Sequence, residues 1–255
     1  MDHYYGPNVH LLDKPSLTSI LANLCSPTTY QPQINTYVNY LYSQLLSEVV
    51  NDHFDTEVHY IETRMSKDHP QSLLKATKIK NQKAVCINLA RAGTFPSHLC
   101  YEQLHLFLSQ DNIRQDHIFA ARMTNDNYQV TSTQLDGFKI GGDINDAIVL
   151  IPDPMGATGT TVVSTIEHYK KKVPGKAKKF IAIHLIVTPE YLKKISTFHP
   201  DVHIYTLRVD RGLSTKEIQE APPGKYWDQE KGLNSKDYIV PGAGGFGEIM
   251  NNSFV

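Results

Sequence analysis

Three short runs in the second half of the chain, AIVLI (147–151), FIAIHLIV (180–187) and VHIYTLRV (202–209), are apolar at almost every position. A strand without polar alternation has both faces buried, the condition of a parallel sheet covered by helices on each side. Helix-period segments separate the runs. Val162, Val163, Ile166 and Tyr169 share one helical face, and Thr188-Pro189-Glu190 opens another helix expected to reach about Thr197. Strand–helix alternation of this kind predicts an α/β chain with a mostly parallel central sheet and helices on both faces.

The first half is less sharply patterned. Ile34, Tyr37, Val38, Leu41, Leu45 and Val49 fall on one helical face between Gln31 and Asn51, and that face is a candidate dimer surface. Glu57–Thr63 reads as a strand or arm, Lys83–Ala90 and Ile118–Ala121 as short strands, and Leu99–Leu108 as a helix. The segmentation predicts one domain over 1–255, with an N-terminal helical arm (1–66), a polar surface insertion (214–232) and a closing segment (233–255).

Composition narrows the function. The chain has 255 residues, and 25 Lys+Arg against 26 Asp+Glu leave a net charge of -1, without the basic excess of a nucleic-acid binder. No apolar run approaches a membrane span, and the first residues lack the apolar core of a signal peptide. Three scattered cysteines and twelve histidines show no metal-ligand spacing. The expectation is a cytoplasmic domain with reduced thiols and no metal held by its own side chains.

The most informative loop follows the first of the three runs. In IVLIPDPMGATGTTVV, a strand gives way to Asp153, then to Ala157, Thr158, Gly159, Thr160 and Thr161, then to a helix. Ligands of open parallel sheets bind beyond the carboxyl ends of strands. Amide and hydroxyl donors at a helix N-terminus form an anion site there. A sugar phosphate would fit, with its hydroxyls on Asp153 and its phosphate in the loop. The alternative is a Thr-capped helix start with Asp153 closing a turn. The loop is neither a Walker loop nor a G-x-G-x-x-G dinucleotide loop.

Asp153-Pro154-Met155-Gly156-Ala157-Thr158-Gly159 resembles the phosphoribosyl diphosphate (PRPP) signature of the type I phosphoribosyltransferases, and more narrowly its uracil phosphoribosyltransferase form. Three further segments are similar to that family in the same order. These are Ala90-Arg91-Ala92-Gly93, then Pro189-Glu190 with His199-Pro200-Asp201-Val202 and Tyr205-Thr206, and finally Gly232-Leu233-Asn234 with Tyr238-Ile239-Val240-Pro241-Gly242.

The resemblance implies transfer of ribose 5-phosphate from PRPP to uracil, giving UMP and pyrophosphate, with Mg²⁺ carried by PRPP. It implies that residues 157–161 hold the 5-phosphate and Asp153 the ribose hydroxyls. Arg91, with the backbone of Ala92 and Gly93, would grip the diphosphate. Arg122 would belong to a mobile loop closing over it, ahead of the Gly- and Asn-rich stretch 129–145. The base would lie on Tyr238–Phe246, read by Ile239, Gly244 and Phe246, with Tyr238 and Phe246 either base-wall or core aromatics. The family also implies a homodimer or higher homo-oligomer.

Two departures stand out. Gly245 occupies a position where the family carries an Asp, and Glu248 replaces a later Asp. If Gly245 is a loss, Gly245→Asp should raise activity; if the site is rebuilt around glycine, it should lower it. An insertion of about 20 residues separates Asp210 from Gly232 and puts in question whether Asp210 still reaches the site. Beside the active enzyme stand two other readings: a non-catalytic homologue that binds UMP or PRPP, and a phosphoribosyltransferase for another base.

Overall fold

The computed structural model describes residues 2–124 and 130–253, and side chains outside 120–136. In chain order the elements are β1 (Val9–Leu11), α1 (Pro15–Leu24), α2 (Gln33–His53), β2 (Thr56–Ile61), β3 (Leu74–Ile79), β4 (Ala84–Ala90), α3 (Thr94–Leu104), β5 (Ile113–Thr124) and β6 (Val130–Lys139). They continue with β7 (Ile148–Pro152), β8 (Met155–Gly156), α4 (Thr160–Lys172), β9 (Lys179–Ile183), β10 (Ile186–Val187), α5 (Pro189–Phe198), β11 (His203–Thr206), β12 (Arg208–Val209), α6 (Lys216–Glu220) and α7 (Phe246–Asn251).

Seven strands form the main sheet in the order β1-β11-β9-β7-β4-β5-β6, parallel throughout except for the antiparallel β5–β6 pair. The apolar runs explain the layering. On β7, Ile148 and Leu150 point into one core with α1, α2, α3 and α7, while Val149 and Ile151 point into a second core with α4 and α5. Helices therefore cover both faces, as the absence of alternation predicts.

Four elements differ from the pattern reading. The run 180–187 is two strands, because His184 turns its ring inward between them, and β10 joins β8 and β12 in a small second sheet. The 202–209 run divides in the same way into β11 and β12. Stretch 129–145 contains strand β6, whose edge position needs backbone pairing to β5 rather than an apolar sequence. Helix α3 starts five residues before Leu99, since Gly93 accepts the first turn's amide from Ser97.

Helix α2 spends its apolar face inside the chain. Ile34, Val38, Leu41, Tyr42, Leu45, Leu46, Val49 and Val50 are all buried in the first core. Each such side chain stabilises the fold by roughly 1.5–3 kcal/mol relative to exposure. That face is not available to a second copy. The β2–β3 hairpin instead leaves Val58, Tyr60 and Leu74 exposed.

The 214–232 segment is less superficial than its polarity predicts. Glu230 is buried and accepts from Arg211, Tyr5 and the Gly224 amide at 2.9, 2.6 and 2.8 Å. Ile218 is buried too, and Trp227 donates to the Pro189 carbonyl while meeting Tyr5 edge-on. The segment is a clamp around the N-terminal residues, with a satisfied buried charge pair at its centre.

Candidate active site

The carboxyl ends of β4 and β7 open into a cavity of about 570 Å³. One wall follows β7. Asp153 lies at its exit, its amide held by the Ile183 carbonyl at 3.0 Å. The Asp153 carbonyl accepts Nδ1–H of His184 at 2.5 Å, which leaves His184 Nε2 to accept the Tyr191 hydroxyl, also at 2.5 Å. Burial drives the His184 pKa down to about 4, so this strut is a neutral imidazole.

Beyond Asp153 the chain passes through β8 and turns into α4. Gly159 carries φ +79, the left-handed region that glycine enters without a Cβ penalty, and its turn starts the helix at Thr160. Thr188 fixes the loop from behind, donating its hydroxyl to Ala157 O at 2.7 Å and its amide to Gly156 O at 3.0 Å. Ala157 and Thr161 line the cavity. Thr158, Gly159 and Thr160 form the bend between them, where the Thr160 amide reaches the Thr158 hydroxyl at 3.4 Å. The orphan amides of the first helical turn and the helix dipole converge here, so an anion is favoured.

Lys194 is an addition that the motifs do not contain. From α5 its ammonium donates to Thr160 Oγ1 at 2.7 Å, which puts a half-buried cation at the mouth of the anion loop. Lys194 lies one helical turn after the buried Tyr191, so the phase of α5 was the available signal.

The second wall follows β4. Arg91 and Ala92 line the cavity, and the Ala90–Arg91 peptide is cis. The Arg91 guanidinium donates to Glu248 Oε1 at 3.3 Å, Ser253 O at 2.9 Å and Ser253 Oγ at 3.0 Å. Gly93 has a packing role. Its amide donates to Leu89 O, and a Cβ there would stand 2.8 Å from that oxygen and 3.0 Å from Pro152 O. It allows the start of α3 to pack against the ends of β4 and β7. Arg122 lies on β5, and its side chain is outside the described residues.

The third wall is the C-terminal segment. Tyr238, Ile239, Gly244 and Phe246 all line the cavity. Tyr238 is 48% exposed, whereas Phe246 is 3% exposed and packs in the first core with its edge in the wall. Asp237, which belongs to none of the quoted motifs, also lines the cavity. Two carboxylates brace this segment from outside the cavity. Glu190 accepts the amides of Gly232 and Leu233 at 2.9 and 3.2 Å. Asp210, buried, pairs with Arg208 and accepts the Gly242 amide at 2.7 Å. Asp210 therefore supports the turn and does not line the cavity.

A cavity with an anion loop, a guanidinium and a wall of backbone groups can hold a molecule with a phosphate at one end and a flat polar ring at the other. The sequence agrees with that geometry. A family model described as uracil phosphoribosyltransferase matches residues 11–224. A curated uracil phosphoribosyltransferase from Variovorax paradoxus (strain S110) is 27% identical over 241 residues, covering 94% of this chain and 96% of its own. Another, from Campylobacter fetus subsp. fetus (strain 82-40), is 32% identical over 115 residues, 45% of this chain and 44% of its own. Among solved structures, the AQ2163 protein from Aquifex aeolicus superposes with a TM-score of 0.69 at 20% identity, covering 95% of this chain and 97% of the other. Adenine phosphoribosyl transferase from Trypanosoma brucei gives a TM-score of 0.50 at 13% identity over 86% and 91% of the two chains. At those identities the solved structures speak to the fold alone.

Proposed function

The chain belongs to the uracil phosphoribosyltransferase family, and on that premise we propose that it converts uracil and PRPP to UMP and pyrophosphate. The observation that carries the reading is that one cavity is lined both by Asp153, Ala157 and Thr161 and by Tyr238, Ile239, Gly244 and Phe246.

In this reading the 5-phosphate takes the amides and hydroxyls of 157–161, with Lys194 supplying the nearest fixed cation. Asp153 accepts the ribose hydroxyls, and Arg91 exchanges Glu248 and Ser253 for the diphosphate. Backbone groups of Ile239, Gly244 and Phe246 read the edge of the base. A rigid donor–acceptor edge selects uracil over cytosine, because a mismatched amine leaves a buried partner unpaired. N1 of uracil then forms a bond to C1′ as the C1′–oxygen bond to pyrophosphate breaks, and the N1 proton is lost to solvent. The protein's contribution is alignment of the two reactants and stabilisation of the departing charge by Arg91.

Magnesium would arrive with the diphosphate. Asp153, Asp237 and Glu248 give that region the hard oxygen donors such an ion takes, and the ion when bound neutralises diphosphate charge. The exposed apolar residues of the β2–β3 hairpin support self-association, and the three free cysteines support a reducing, cytoplasmic setting.

A steady-state assay with PRPP, Mg²⁺ and a panel of pyrimidines and purines tests the proposal. Equimolar UMP and pyrophosphate from uracil alone is the expected result. Turnover of another base would reassign the specificity, and binding of UMP without any turnover would make the chain a sensor.

A further inference from the structure

The amino-terminal rim of the sheet, opposite the cavity, brings together three histidines that are far apart in sequence. His10 is the middle residue of β1, His203 the first of β11 and His53 the last of α2. Register pairs His10 with Tyr205, so His10, His203 and Tyr205 project from the same side of the sheet edge, toward the end of α2. One ring nitrogen from each histidine lies within 4.8 Å of the other two.

We propose that His10, His53 and His203 bind a late first-row divalent metal ion, with zinc the expected occupant. Imidazole nitrogens suit such ions, and tetrahedral zinc with bonds of about 2.0–2.1 Å spaces its ligands roughly 3.3 Å apart. His10 Nε2 and His203 Nδ1 are 3.2 Å apart, already at that spacing.

The surroundings define how the ion enters. Lys179 Nζ donates to His53 Nδ1 at 2.9 Å, and its charge is felt at both His53 and His203. An ammonium only donates, so Nδ1 is the accepting nitrogen and Nε2 carries the proton. That proton points to the Tyr205 hydroxyl at 2.9 Å, which in turn donates to Asp52 Oδ2 at 2.7 Å. A histidine whose second N–H is oriented toward a carboxylate through a fixed partner is the arrangement that tunes metal ligands. The Lys179 ammonium stands where the ion would go, and its half-exposed side chain can swing to solvent. His10 and His203 are half-exposed as well, which leaves a fourth position for water.

The site would tie β1 and the end of α2 to the sheet edge, remote from the reaction. Titration of chelator-treated protein with Zn²⁺ by calorimetry, and with Co²⁺ by visible absorption, tests it. One equivalent should bind, and Co²⁺ should give the intense bands of a tetrahedral site. His10→Ala and His203→Ala should each weaken binding by about 10²-fold or more, the upper range for losing even an outer partner. Lys179→Met should tighten it, a gain that misfolding cannot imitate. Absence of binding to both wild type and Lys179→Met would overturn the proposal. So would an undiminished equivalent in the His10→Ala/His203→Ala double variant.

Discussion

Glu248 reaches back over Gly245: its Oε2 lies 2.5 Å from the point where a Cβ on residue 245 would stand, while Oε1 accepts from Arg91 at 3.3 Å. A side chain at 245 requires the Glu248 carboxylate, the far end of a flexible side chain, to move aside. The acidic group beside the guanidinium comes from Glu248, and the glycine is what lets it approach.

Gly245→Asp adds a second carboxylate beside Arg91 and should lower activity rather than restore it. A second carboxylate beside Arg91 competes with the diphosphate for it, and the worth of one charge-assisted hydrogen bond, roughly 1.5–3 kcal/mol, sets the expected fall in kcat/KM at about tenfold or more. Adding Glu248→Gly to that variant should recover part of the loss. A rise with Gly245→Asp alone in initial-rate assays would contradict this reading of the pair.

Asp153 and Arg91 follow the ends of the neighbouring strands β7 and β4, and in the proposed reading they act on different parts of the substrate. Asp153→Asn and Arg91→Ala should each reduce kcat/KM by about 10²-fold, the scale of removing one preorganised group from a transition state. Far-UV circular dichroism should be unchanged for both. Near-normal kinetics in either variant would remove it from its assigned role.

Lys194 contacts Thr160 in the proposed phosphate loop. Lys194→Ala should raise the KM for PRPP by about tenfold, the worth of one charge-assisted hydrogen bond, with kcat nearly unchanged. An effect on kcat alone would place its role elsewhere.

His184 predicts a pH dependence of stability. Its folded pKa, about 4, lies below the ordinary value of 6.5, so between these values the unfolded chain binds more protons. Stability is then full above about pH 6.5 and falls as the pH drops toward 4, by on the order of 3 kcal/mol from this residue. Urea midpoints across pH 4–7 should show the fall, and His184→Gln should flatten it.

How much of this was legible in the sequence depends on the kind of signal each feature leaves. Buried parallel strands show themselves as unbroken apolar runs, so β7, β9 and the sheet class could be read directly. The edge strand β6 draws its stability from backbone pairing to β5, which leaves no apolar trace. The 157–161 loop was legible as a strand-to-helix turn because its glycine and threonines mark a helix start after an apolar run. The Gly93 amide bond to Leu89 O left no mark in the motif, because a motif names a residue without saying where its amide is engaged. Lys194 at Thr160 and Glu248 over Gly245 arise from tertiary packing between separate segments. The His10, His53 and His203 cluster is the extreme case, since no ligand spacing exists along the chain and only β1–β11 pairing creates it.

The central claim is that one cavity holds a phosphate on residues 157–161 and a uracil ring on Tyr238–Phe246. Calorimetric titration of the wild-type chain with UMP, which carries both groups, tests it most directly. Micromolar, one-to-one binding that cytidine monophosphate fails to match is the predicted result. No binding of UMP, or equal binding of both nucleotides, would contradict it.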